Sequence, residues 1–372
     1  ACLSEWRHGT PGGGALYLER SFLQFLEDVN PCGQRYWLSE AEGILFVTYE
    51  LKLNLLNFAR WGRLAVPATI IGVPLSVAAP GFAVRTPEGR AVMSAWIPRH
   101  LKGLTVILNV PEGETFELPE GLTLSSYVLS LGFEDFESYV AALRSPYRRQ
   151  VKRALAAFEE VEAVELAPFG LGTRTDRWAG DADRLMGWGR GRSYGLGTEL
   201  KSVKQNLFEA QNHAGSAPLL DEALYPLYLD VFNRSKDQLE GLEPGYFEKF
   251  PGRTFKFEHD GRPLAFVQTL DESTPEGVLS HFVLGGFDRS ALQRFDLYRI
   301  LPLQLSRRAF ADGCHAITLG QTSEESKSKT GAVEQLKTLY VAHSNPLLHK
   351  LLGSLVKAFS YRRYRTVHHV FK

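Results

Sequence analysis

The polar stretch Gln321-Thr322-Ser323-Glu324-Glu325-Ser326-Lys327-Ser328-Lys329-Thr330 holds the residues best suited to chemistry. It follows a short apolar strand predicted over 316–319, and in α/β sheets ligands bind outside such strand ends. An ammonium there, Lys327 first and Lys329 second, would neutralise an oxyanion or a phosphate while an amine attacks an ester or thioester carbonyl. The attacking amine must shed a proton, so a base or a water chain is useful. His281, on the preceding predicted strand, is one candidate base, and Glu324 or Glu325 in the loop is another. Tyr298 is a candidate acid for the leaving group. Each has a plain structural reading beside the catalytic one: a solvated loop lysine, a core histidine, a tyrosine packed in a helical run.

Two further clusters could hold an anion. Arg144, Arg148, Arg149, Lys152 and Arg153 crowd one predicted helix. Its i,i+4 arginine pairs repel unless an anion sits between them or water screens them. The stretch Gly187-Trp188-Gly189-Arg190-Gly191-Arg192-Ser193-Tyr194-Gly195-Leu196-Gly197 offers backbone amides plus Arg190 and Arg192 to a phosphate or carboxylate. No strand precedes it, so it fails as a dinucleotide fingerprint, and a surface connection is the alternative. The stretch 343–372 carries lysines, arginines and Tyr361, Tyr364 and Phe371, a composition that suits single-stranded nucleic acid or a solvated tail.

Other chemistries find no support. Cys2, Cys32 and Cys314 are too scattered for a disulfide framework or a zinc site. Cys314 and His315 are neighbours on a predicted strand and point to opposite faces, so Cys314 is expected in the core rather than in a thiol dyad. There is no nucleophile elbow of the G–x–S–x–G type.

These residues need elements to hold them. A chain of 372 residues favours two or three domains. Lys+Arg and Asp+Glu both total 42, which excludes a polyanion binder held by bulk charge and equally an acidic tail. With 44% hydrophobic and 12% aromatic residues, large cores can form. No apolar run approaches the ~18 residues of a membrane span. Nor does 1–14 show the charged and apolar regions of a signal peptide. The expectation is a cytoplasmic protein with a flexible glycine-rich leader.

Periodicity predicts helices over 21–30, 93–102, 219–235, 295–312 and 346–359, and a long one over 136–165 broken at Ser145-Pro146. Strands are predicted over 43–49, 64–72, 104–110, 255–259, 264–270, 278–284 and 316–319. The segment 83–92 reads as a short loop. The two series resemble each other. Glu42-Gly43 before one strand matches Asp260-Gly261 before another; Pro80-Gly81-Phe82 matches Gly285-Gly286-Phe287; Lys102-Gly103 matches Asp312-Gly313. Same-order matches at a near-constant offset predict a duplication, against the alternative that turn–strand units recur in any α/β protein.

This unit of turn, strand, strand ending in Gly-Gly-Phe, helix, glycine, strand and polar loop resembles the GNAT acyltransferase fold. Its duplication resembles the tandem Fem-like and BioF2-like branch. The segments that carry the likeness are Ser21–Glu27, the Ser145–Ala154 helix, Gly245-Tyr246-Phe247, and the lysine–glycine loop Lys327–Gly331. The resemblance implies an α/β protein of two GNAT-like domains, 15–165 and 166–372, each a mixed central sheet flanked by helices. It implies an acyl- or aminoacyltransferase with a small-molecule or peptide amine acceptor and no tightly bound cofactor. The activated donor would be an aminoacyl-tRNA, an acyl-CoA or an acyl carrier protein. Lys327, Lys329, His281 and Tyr298 would serve catalysis. Arg148, Arg149, Lys152, Arg190, Arg192 and Gln321 would hold the donor or another anion, and Tyr246, Phe247 and Ser323 would line the substrate cleft. One departure weighs against CoA: the place of the glycine-bearing phosphate turn is Gln293-Arg294-Phe295-Asp296-Leu297-Tyr298, without glycine. The rival readings are a CoA- or carrier-protein-dependent N-acyltransferase and a non-catalytic binding protein on the same fold.

Overall fold

The computed structural model describes residues 15–56, 64–166, 201–203, 223–235, 241–364 and 366–372. The glycine-rich segment with Arg190 and Arg192 lies outside them. In chain order the elements are α1 (Arg20–Val29), β1 (Arg35–Ser39), β2 (Ile44–Asn54), β3 (Ala65–Ile71), β4 (Phe82–Val84), α2 (Pro87–His100), β5 (Leu104–Pro111), β6 (Glu120–Leu122) and β7 (Ser126–Ser130). Then come α3 (Phe136–Ala142), α4 (Ser145–Ala157), β8 (Glu162–Leu166), β9 (Lys201–Val203), α5 (Leu224–Phe232), α6 (Pro244–Lys249), β10 (Arg253–His259) and β11 (Arg262–Thr274). The last are β12 (Gly277–Phe287), α7 (Leu292–Phe295), α8 (Leu297–Ala311), β13 (Ala316–Thr318), α9 (Glu324–Ser328), β14 (Val333–Gln335), β15 (Lys337–His343) and α10 (Pro346–Leu355).

Two predicted boundaries are corrected. The segment 83–92 is not a loop: β4 pairs with β2, and Thr86 then caps α2, its hydroxyl accepting from Gly89 N–H at 3.0 Å with Pro87 opening the helix. The long helical stretch ends at Ala157, and Glu162–Leu166 is an edge strand on β10.

The strands form two mixed sheets flanked by helices. One runs β6-β15-β5-β3-β2-β1-β9, with β4 beside β2; the other runs β14-β7-β13-β12-β11-β10-β8. The two orders match strand for strand, and so does the sense of every pairing. Each sheet has a single parallel step, β3–β5 in one and β12–β13 in the other, among antiparallel neighbours. The repeated turn–strand units of the sequence therefore occupy equivalent places, β2 facing β11 in the correspondence. Gly43 and Gly261 both turn with positive φ (61° and 71°), as do Gly103 and Gly313 after α2 and α8 (75° and 69°), a conformation open to glycine.

The halves exchange strands. β7, from the first half of the chain, lies in the second sheet between β13 and β14. β15, from the second half, lies in the first sheet between β5 and β6. A cut at 165/166 therefore does not assign each sheet to its own stretch of sequence.

The halves also differ at one point. β12 runs unbroken past a bulge opposite Gln268 and Thr269, whereas its counterpart is interrupted between β3 and β4 by an excursion from Gly72 to Gly81. A Cβ on Gly81 would lie 2.1 Å from the Gly72 carbonyl carbon, so the two necks touch. The excursion buries Val73, Leu75, Val77 and Ala79 in a core with Phe22 and Leu26 of α1, Tyr228 of α5, Tyr246 of α6 and Phe266 of β11. The first half thus plugs one face of the second sheet.

Candidate functional site

The parallel ladder between β12 and β13 lasts three residues and ends at His281↔Thr318. The chain then leaves β13 through Gly320, whose φ of 69° suits glycine, and through Thr322 and Ser323 at 63° and 53°, which do not. Left-handed backbone at a β-branched threonine is costly and is typically retained at functional sites. This turn delivers the short helix α9, and with it Lys327.

Lys327 is 6% exposed. Its Nζ donates to Gln321 O at 2.6 Å, and no carboxylate forms an ion pair with it among the described residues. A Cβ at Gly320 would stand 3.9 Å from Nζ and 3.4 Å from the Phe282 ring, so the ammonium sits beside the turn where β12 and β13 part. Burial pushes its pKa down to about 7, partly opposed by Glu324. Glu324 is itself engaged, accepting from Tyr361 Oη at 2.6 Å. The sequence alone admits a solvated loop lysine at this position; the fold encloses it.

Gln321 joins the two halves. Its Nε2 donates to Asn109 Oδ1 at 2.9 Å and to Leu124 O at 2.6 Å, so its amide hydrogens are committed within the protein. Asn109, in left-handed backbone on β5, donates onward to Val77 O at 2.9 Å and Ala79 O at 3.3 Å in the excursion. Asn109 and Gln321 each lie five residues after the first residue of their parallel ladder, Leu104 and Ala316. The amide pair therefore bridges equivalent positions of the duplicated unit.

The other loop residues divide. Ser323 precedes α9, and its carbonyl accepts from Lys327 N–H at 3.2 Å. Tyr298, half exposed at the start of α8, is tied to α9 through Ser326 Oγ, which donates to its carbonyl at 2.8 Å; its ring meets Phe287 edge-on. Lys329 pairs with Glu325 at the surface. The glycine-free segment breaks between α7 and α8 at Asp296, in left-handed backbone, with its carboxylate on Arg299.

His281 forms a second cluster. It is buried on β12, with Nε2 2.8 Å from Glu272 Oε2 and Nδ1 3.3 Å from Thr318 Oγ1. Glu272 also accepts from Ala15 N–H at 2.9 Å, and Tyr17 packs edge-on against the imidazole. Carboxylate, imidazole and hydroxyl thus stand in line, the order in which an imidazole is oriented for proton transfer. Glu272 and Thr318 were not evident from sequence because they gather across three strands. Asn109 was missed as well; its signal would have been an amide side chain inside the buried strand Leu-Thr-Val-Ile-Leu-Asn-Val.

The remaining expected site residues lie apart from the Lys327 turn and the His281 cluster in their hydrogen bonds and ring contacts. Arg148 donates to Ala141 O and Leu143 O, capping the end of α3, and Arg149 donates to Ser145 Oγ. Lys152 is exposed on the same helix. Tyr246 and Phe247 lie in the apolar core, Tyr246 fully enclosed among Phe25, Phe247 and Phe250. Cys314 is buried as expected, and burial pushes its thiol up to about 11, away from nucleophilic duty. In the C-terminal stretch Tyr361 holds Glu324, Arg363 pairs with Glu334, and Phe371 packs on Phe133 and Tyr139.

No protein-family model and no curated protein sequence matches the chain. Solved structures do resemble it. L-PGS from Bacillus licheniformis aligns over 93% of this chain and 98% of its own, with 11% identity and a TM-score of 0.45. A conserved protein of unknown function from Bacteroides thetaiotaomicron aligns over 86% and 88%, with 11% identity and a TM-score of 0.46. A tandem GNAT protein from the clavulanic acid biosynthesis pathway aligns over 93% of both chains, with 9% identity and a TM-score of 0.40. Likenesses this distant carry no argument about activity, which must rest on the site itself.

Proposed function

We propose that the protein transfers an acyl or aminoacyl group from an activated donor to an amine by direct attack, in the manner of the tandem Fem-like and BioF2-like proteins it resembles. The observation that carries this reading is Lys327: a buried lysine without an ion-pair partner among the described residues, set where two parallel strands part. An ammonium deprived of water and of a direct ion pair is stabilised by negative charge that appears beside it. The acceptor nitrogen would attack the carbonyl carbon, the carbonyl oxygen would take up the electron pair against Lys327, and the carbon–oxygen or carbon–sulfur bond of the donor would then break. His281, oriented by Glu272, would receive the acceptor's proton. Tyr298, at the rim of α9, would supply one to the leaving group.

The missing glycines of the segment 293–298 support a donor other than acetyl-CoA, with aminoacyl-tRNA first and an acyl carrier protein second. The test is a transfer assay over these donor classes with small and peptide amines. Lys327→Ala should lower turnover ~100-fold or more, as removal of one oxyanion donor does. Lys327→Arg should restore only part of it, because the guanidinium is wider and its charge diffuse. Full activity in Lys327→Ala would overturn the assignment.

A further inference from the structure

The helix α10 presents a surface that the transfer reaction does not use. Asn345 caps it, Oδ1 accepting from Leu347 and Leu348 N–H, and it packs on β15, one strand in from the β6 end of the first sheet. Leu352 and the following Val356 join the apolar cluster of Val106 and Val341 there, and Gly353 sits against Pro119. Among the described residues nothing covers the other side of the helix. Leu347, Leu348, Leu351 and Leu355 are 80%, 44%, 54% and 38% exposed, and no residue of the helix is buried. At 3.6 residues per turn these leucines share an arc of about 100°. Exposed leucines scattered singly need no explanation, but a stripe of them on one helix marks an interaction face.

The charges on the helix and its flanks are mainly basic, with the exposed Glu120 of β6 nearby. From 343 to 372 the chain contains Lys350, Lys357, Arg362, Arg363, Arg365 and Lys372 and no aspartate or glutamate. Among the described cations of that stretch only Arg363 forms an ion pair, with Glu334. Lys350 and Lys357 are exposed on and just past the helix. Lys102, also exposed, stands at its other end, where Gly103 N–H donates to Ser344 Oγ and Ser344 N–H to Gly103 O. β15 beneath the helix carries no acid, and β6 carries one, Glu120.

We propose that α10 docks the protein on an anionic lipid surface, its leucines entering the acyl boundary and Lys102, Lys350 and Lys357 meeting the headgroups. Apolar area and cationic rim act together in such binding. A protein groove would satisfy the leucines as well, but the excess of Lys102, Lys350 and Lys357 over Glu120 at the rim favours an anionic surface. A helix of ten residues predicts reversible attachment.

Sedimentation with vesicles tests this, using phosphatidylcholine alone and phosphatidylcholine mixed with phosphatidylglycerol. The protein should bind the anionic vesicles more strongly, and the bound fraction should fall as salt rises. Leu347→Glu with Leu351→Glu should lower partitioning by ~10-fold or more while leaving the melting temperature unchanged, since both side chains are exposed. Lys350→Glu with Lys357→Glu should abolish the preference for phosphatidylglycerol. Absence of binding to either vesicle, or binding indifferent to the leucine changes, would overturn the proposal. So would a concentration-dependent dimer that the leucine changes dissociate, because a second copy would then be the occupant.

Discussion

Lys327 combines two properties that follow from one cause. Burial makes its ammonium reactive toward developing negative charge, and the same burial makes that ammonium a burden on the folded state. Its pKa stands near 7 in the fold, below that of an unfolded lysine near 10.4. Between those values the unfolded chain binds the extra proton, so stability should rise as pH rises through the window, by at most about 1.4 kcal/mol per pH unit. Lys327→Met should remove this dependence and raise stability at pH 7, measured as denaturant midpoints across pH. An unchanged pH slope in the methionine variant would show that the lysine is solvated. His281 separates proton transfer from packing in another way. His281→Gln keeps a hydrogen-bonding side chain but cannot accept the acceptor's proton, and should cost ~100-fold or more in transfer rate with a small change in melting temperature.

At the scale of elements, the excursion from Gly72 to Gly81 depends on two backbones in contact. The duplicated glycines are required for different reasons. Gly81 allows close approach, since an added Cβ would strike Gly72, whereas Gly103 has open space around its Cβ position and is held by a φ of 75°. Gly81→Ala should therefore destabilise by about 1–3 kcal/mol and Gly81→Asn by more. Gly103→Asn should be nearly neutral, because asparagine tolerates left-handed backbone. Thermal denaturation of the three variants separates the cases, and equal losses at both sites would refute the distinction. The excursion also carries the acceptor carbonyls of Val77 and Ala79 for Asn109, so a disturbance at Gly81 should reach Gln321 and the Lys327 turn.

For the whole molecule, the exchange of β7 and β15 makes each sheet depend on both ends of the chain. A fragment of 15–166 would hold β5 and β6 without β15, and β7 without β13 and β14. Such open edges favour aggregation over folding. The fragment should lack a cooperative unfolding transition, whereas the full chain should unfold in one step by circular dichroism and by the fluorescence of Trp37 and Trp96 in the first sheet's core. A fragment that melts cooperatively would mean that the exchanged strands contribute little.

Local chemistry was legible in the residues themselves. Gly43, Gly103, Gly261 and Gly313 mark turns because backbone sterics act over one or two residues, and the apolar periods of 21–30 and 104–110 mark elements because burial acts on one face. The order of those elements disclosed the duplication, and the lysine loop after the last parallel strand marked the candidate site proposed above. The exchange of β7 and β15, the capping of α2 at Thr86 and the strand at Glu162–Leu166 were decided by pairing partners far away in sequence. The same holds for Lys327. Whether a lysine is solvated or enclosed depends on what packs around it, here the turn leaving β13, whose Gln321 carbonyl accepts from the ammonium while its side chain bridges to Asn109 of the opposite half. Its residue type made it eligible for chemistry; only the desolvation created by tertiary packing lowered its pKa toward neutrality.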